Sequence, residues 1–202
     1  SDKFIKLRIP MKNKNGFAYL LTGGGLIGFL FSFMITLEKI AILIDPNHVP
    51  PCSINPLISC GTIMKTAQAS VLGFPNSLMG IAGFAIVTTI GFAMLAGAQF
   101  KRWFWVCAQI GLLLATAFIY WLFFQSVFVI GALCPYCMVV WTVTIPLFVY
   151  TAIFNLKNKH LTISESIDKA IINNPAPILV LMYGTILISI LLQFWSDWMA
   201  MI

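Results

Sequence analysis

Charge is what this sequence has least of. Asp, Glu, Lys and Arg make up 9% of its 202 residues, and only six residues are acidic. Soluble domains carry about 25% charged and about 45–50% apolar residues. Here 60% of the residues are hydrophobic and the mean hydropathy is +0.95. A soluble core cannot hide that much apolar surface, and a disordered chain would not have it. Histidine is nearly missing too, with only His48 and His160. No basic patch is interleaved with stacking aromatics, so no nucleic-acid partner is expected. Repeats and low-complexity tracts are absent. A cleavable signal peptide is not expected either, because the first apolar run is too long and lacks a small-residue cleavage site behind it.

What remains reads as an all-α membrane protein, a single integral membrane domain over 1–202. A spanning helix needs about 20 mostly apolar residues. Five stretches qualify, near 17–43, 77–98, 103–127, 134–154 and 177–195. Gly23, Gly24 and Gly25 in the first span weaken helix propensity but allow close helix contact. Ten of the twelve basic residues fall in the N-terminal flank, the 101–102 link and the link after the fourth span. The other two are Lys39, expected to snorkel from a helix end, and Lys65. Five crossings and the positive-inside rule place the N-terminus in the cytoplasm and the 44–76 loop outside. That loop is rich in Pro, Ser and Asn. Within it, ISCGTIMKTAQ is expected to form a short interfacial helix. LTISESIDKA, in the last link, reads as a connector or a short amphipathic helix.

Five cysteines punctuate this frame. Cys52, Cys60, Cys134 and Cys137 fall on the outer side, where disulfides form and persist. Cys107 lies inside the third span without a neighbouring thiol and reads as packing. Cys134 and Cys137 flank Pro135 and Tyr136 at the start of the fourth span. Unpaired N–H groups and a partial positive charge gather at a helix start and favour a thiolate, and proline suits the first helical position. A structural disulfide is the bland alternative for this pair, as it is for Cys52 and Cys60 in the loop. Together the pairs suggest a relay by thiol–disulfide exchange. Zinc fits poorly, because one half of the site would have C-x₇-C spacing. By this topology the two histidines lie on opposite sides of the membrane, so no metal site is expected. His48 reads as a solvated loop residue.

CSINPLISCGTIMKTAQASVLGFPNSLMGIAGF followed by CPYCMVVW, with LEKI at 37–40, resembles the bacterial branch of the vitamin K epoxide reductase family. The resemblance covers about residues 17–155, and the chain ends soon after its fifth span, as in a form without a fused thioredoxin domain. The resemblance implies a four-helix bundle around a quinone, with a fifth helix beside it. It implies that Cys52 exchanges with a DsbA-like thioredoxin-fold partner, expected as a separate soluble protein. Cys60 would carry electrons to Cys134, and Cys137 would reduce the quinone (menaquinone or ubiquinone) through a charge-transfer or adduct state. The enzyme would sit in a bacterial inner membrane, with its active site facing the periplasm.

Asn76 matches the family's asparagine that bonds a quinone carbonyl; its local alternative is a helix N-cap. Trp141, one turn beyond Cys137, stands where animal members have tyrosine, and Thr66 stands where the family usually has serine. Phe74, Phe84, Trp121 and Phe124 are further aromatics near such a pocket, more often packing or interfacial belt. A four-span DsbB-like oxidase shares this chemistry but not the span count. The alternative from another class is a non-catalytic transporter subunit or assembly factor held by two structural disulfides.

Overall fold

The computed structural model describes residues 14–161, 168, 171–172 and 174–195. Among these residues, five helices are long and apolar enough to cross a membrane, which makes this an all-α membrane protein. They are α1 (Lys14–Ile44), α3 (Ser77–Leu95), α4 (Arg102–Phe124), α5 (Pro135–Lys157) and α6 (Pro175–Gln193), with the short α2 (Cys60–Met64) between α1 and α3. The third span was expected to stop near 127. It continues instead through a π-helical segment, Gln125–Ile130, and ends on Gly131 in the left-handed conformation. ISCGTIMKTAQ divides into α2 and a separate 3-10 turn, Ala67–Ser70. LTISESIDKA falls largely outside the described residues.

α1 is the spine of the bundle. It packs on α3 and on α5, and α5 in turn packs on α4 and α6. Close approach explains the first of these contacts. A Cβ on Gly25 would lie 2.8 Å from the Thr88 backbone nitrogen, and one on Gly91 would lie 2.6 Å from that of Thr22. Glycine therefore lets two backbones approach in a lipid solvent, where dispersion rather than water exclusion drives helix packing. Of the expected glycine contacts, Gly25 meets α3 and Gly24 meets Leu147, while Gly23 faces open space. Thr36 adds a polar tie, donating to the Ser77 hydroxyl at 2.8 Å.

α3 and α4 stand apart, with at most marginal contact. At the end remote from the cysteines, aromatic rings tie α1, α4 and α5 together. There Phe17 stacks on Phe154, and Trp105 meets both rings. Asn155, fully buried on α5, donates to the Trp105 carbonyl and the Gln109 side chain on α4. The fifth span is fastened by two tyrosines. Tyr120 donates to the Met182 carbonyl at 2.8 Å, and Tyr183 donates to the Thr142 carbonyl at 2.6 Å.

Candidate active site

The loop after α1 is folded on itself by short-range hydrogen bonds. Asn55 turns its carboxamide oxygen to the Ile58 N–H at 2.6 Å, and the Ile54 N–H donates to the Ile58 carbonyl at 2.8 Å. Ser53 accepts from the Gly61 N–H at 3.1 Å, while Ser59 caps α2 by accepting from the Thr62 N–H at 3.2 Å. Serine and asparagine do this well because their short side chains reach nearby backbone groups. The result brings Cys52 and Cys60 together as a disulfide.

A single parallel β-bridge then joins this loop to the start of α5. The Leu133 N–H donates to the Leu57 carbonyl at 2.7 Å, and the Ser59 N–H donates to the Leu133 carbonyl at 2.9 Å. The π segment and Gly131 aim Leu133 at this partner, with the Ala132 N–H returning to the Ser126 carbonyl at 3.1 Å. π segments recur at functional positions because they re-aim the chain. Nothing in the hydropathy pattern signalled this one; Gly131 just before the cysteines was the available hint.

The bridge sets Cys60 beside Cys134. Their sulfurs lie 3.2 Å apart, and both residues are fully buried. Cys134 is the N-cap of α5, and its sulfur accepts from the Cys137 N–H at 3.3 Å. The hydrogen bond from the Cys137 side chain holds the Cys134 thiol below its ordinary range. The Cys137 and Tyr136 amides reinforce that shift, and burial opposes it. Cys134 and Cys137 are free thiols here. The arrangement thus has a closed outer pair and an open inner pair, with one sulfur of each in line for exchange.

Cys137 lines a cavity of about 960 Å³. It runs between α3 and α4, over α1 and α5, and is almost wholly apolar. Ile86 and Leu114, 62% and 65% exposed, stand on its margin, so it opens toward the lipid-facing surface. Asn76 and Trp141 also line it, with Trp141 buried edge-on against Phe123. Neither Cys134 nor Thr66 is among the lining residues. Thr66 donates its hydroxyl to the Ile63 carbonyl at 2.7 Å. Asn76 precedes α3 without capping it. Its carboxamide instead donates to the Gln68 carbonyl at 2.7 Å and accepts from the Val71 N–H at 3.1 Å, bracing the loop against the cavity. Of the four other aromatics, Phe84 lines the cavity and is buried, while Phe74, Trp121 and Phe124 are exposed.

Two expectations are corrected, for Lys39 and Cys107. Lys39 does not snorkel outward: it is 9% exposed, lines the cavity and donates to the Met64 carbonyl. His48 is a partly exposed loop residue as expected, and it also pairs with Glu38 at 2.8 Å. Cys107 is not core packing; it is exposed and stands along the cavity wall. Among the described residues, no group of three or more His, Cys, Asp or Glu side chains is arranged to hold a metal ion.

An apolar helical bundle, two cysteine pairs within exchange distance and a cavity at the inner pair define a membrane thiol–disulfide oxidoreductase. The chain belongs to the vitamin K epoxide reductase family, whose model matches residues 19–152. That family is associated with quinones and with thioredoxin-like partners. A comparison with curated proteins gave no significant match.

Proposed function

We propose that this protein oxidises a DsbA-like thioredoxin-fold dithiol and passes the electrons to a membrane quinone as its second substrate, so supporting disulfide formation. The observation that carries the reading is the 3.2 Å approach of the Cys60 and Cys134 sulfurs, with Cys137 lining the adjoining cavity. Each exchange step is an in-line attack of a thiolate on a disulfide.

A partner thiolate attacks Cys52, the Cys52–Cys60 bond breaks, and Cys60 leaves as a thiolate. Cys60 attacks Cys134 of an oxidised inner pair, and Cys137 leaves as a thiolate. The partner's second thiol displaces Cys52, releasing oxidised partner. Cys52 then attacks Cys60 and frees Cys134. The outer pair is closed again and the inner pair is a dithiol, which is the pairing described above. Cys137 delivers an electron pair to the quinone and Cys134 closes the bond to Cys137, while the two thiol protons end on the quinol oxygens. The net change is partner dithiol plus quinone to partner disulfide plus quinol.

An apolar cavity of this size lies within the usual range for small-molecule sites, and its opening toward lipid suits a substrate dissolved there. Asn76 would offer its remaining N–H to one quinone carbonyl, and Trp141 a flat wall. Cys52 is only 5% exposed, so the partner must displace part of the loop to reach it. The cysteine end would face the periplasm, across a bacterial inner membrane from the basic N-terminal flank. Menaquinone and ubiquinone both fit this chemistry.

The test mixes purified protein, a reduced thioredoxin-fold protein and a quinone, and follows quinol formation. Cys137→Ala should abolish turnover. Cys60→Ala should trap the partner on Cys52. Turnover that survives removal of all four cysteines would refute the relay, and a partner trapped on Cys134 would reverse its order.

A further inference from the structure

The cavity wall is mostly apolar, with a few neutral polar side chains and one charge. Of its lining residues, Lys39 alone carries a formal charge. It sits on α1 between Ile35 and Ile42, which pack on the cluster of Cys52, Cys60, Met64 and Cys134. Cys137 packs on the same cluster, so Lys39 lies at the cysteine end of the cavity. An ionisable residue inside a spanning segment is costly and marks a site by default. Lys39 donates one hydrogen bond, to the Met64 carbonyl. An ammonium has three N–H donors, so two remain for whatever enters the cavity. The acidic residue beside it on α1, Glu38, is bound to His48 and leaves the ammonium without a carboxylate partner there. Of the other polar side chains on the wall, Ser77 is engaged with Thr36, Ser126 with the Ala132 carbonyl and Thr144 with the Val140 carbonyl, while the buried Thr151 hydroxyl has no partner among the described residues.

We propose that Lys39 is a catalytic residue of quinone reduction, its ammonium binding the ring oxygen that gains negative charge as Cys137 delivers its electron pair. The inference rests on the quinone reading above and deepens it. A ring accepting two electrons from a sulfur develops charge on its oxygens before the protons arrive. A fixed cation in an apolar site stabilises that charge far more than it could in water. Asn76, half committed to the Gln68 carbonyl and the Val71 N–H, would serve one oxygen and Lys39 the other. The Met64 carbonyl orients the ammonium, because Met64 closes the helix that begins at Cys60. The proton count of the reaction is unchanged, since both protons come from the dithiol and Lys39 keeps its own.

The test compares Lys39→Met and Lys39→Gln in two assays. The first is oxidation of one equivalent of partner dithiol without quinone, and the second is steady-state quinone reduction. Lys39→Gln keeps an N–H donor on a slightly shorter side chain and removes the charge. Removing one such stabilising group typically costs about 100-fold or more in kcat. That loss is expected in quinone reduction for both variants, with the dithiol assay unchanged. Wild-type kcat in Lys39→Gln would overturn the proposal. An equal slowing of both assays would also overturn it, by assigning Lys39 to loop support. Failure of the quinone reading itself would look different: Cys137→Ala would then still reduce quinone.

Discussion

Cys60 and Cys134 are 74 residues apart in sequence, and their sulfurs meet at 3.2 Å in a fully buried contact. Each already has a second thiol partner nearby, so the contact is a branch point between two pairs. Removing the outer and inner alternatives should leave only the cross-pair. The Cys52→Ala, Cys137→Ala double variant is expected to close a Cys60–Cys134 disulfide under mild oxidation. Peptide mapping without reductant checks this, and two free thiols after oxidation would contradict the geometry.

The branch point depends on a turn as much as on the cysteines. Asn55 holds the Ile58 N–H and so presents the Leu57 carbonyl and Ser59 N–H to Leu133. A hydrogen bond of this kind is worth about 1 kcal/mol net, or about fivefold in an equilibrium. Asn55→Ala is therefore expected to slow transfer from the outer to the inner pair by about fivefold in a single-turnover experiment. Thermal stability of the bundle should barely change, because the bond lies outside its helices.

The spans were legible because a membrane imposes length and hydropathy on a helix one segment at a time. The cysteine pairs were legible because spacing and topology put them on one face. What hydropathy could not supply was the register between distant segments. Leu133 pairs with the loop only because a π segment and Gly131 re-aim the chain, and a six-residue change of helix type leaves the apolar pattern intact. Lys39 was misread for a related reason. A lysine near a helix end can reach outward or inward, and the choice falls to a Met64 carbonyl that only the folded loop brings near. Asn76 shows the same limit: its place before α3 suggested a cap, yet its partners are Gln68 and Val71.

The α1–α3 seam gives a stability test independent of chemistry. A Cβ at Gly25 would push into the Thr88 backbone, whereas one at Gly23 would meet nothing within 4 Å. Overpacking costs about 1–3 kcal/mol, while replacing a helical glycine by alanine returns up to about 1 kcal/mol. Gly25→Ala should lower the unfolding midpoint in detergent, and Gly23→Ala should hold or raise it. Equal midpoints would mean that the two helices do not approach as described.

The fifth span poses the last question, whether it is frame or machinery. It touches the rest of the bundle through α5, the π segment and the end of α4, and two hydroxyls fasten it. Neither Tyr120 nor Tyr183 lines the cavity. Interhelical hydrogen bonds in membranes average about 0.6 kcal/mol and reach about 1.7. The Tyr120→Phe, Tyr183→Phe double variant keeps both rings, so it removes the two bonds without opening a void. It should lose about 1 kcal/mol of stability, read as a lower unfolding midpoint, while quinone turnover below that midpoint persists. If turnover vanished with the bundle still folded, α6 would be setting the position of α5, and with it the cysteines at the α5 start. The helix would then belong to the working site rather than to its support.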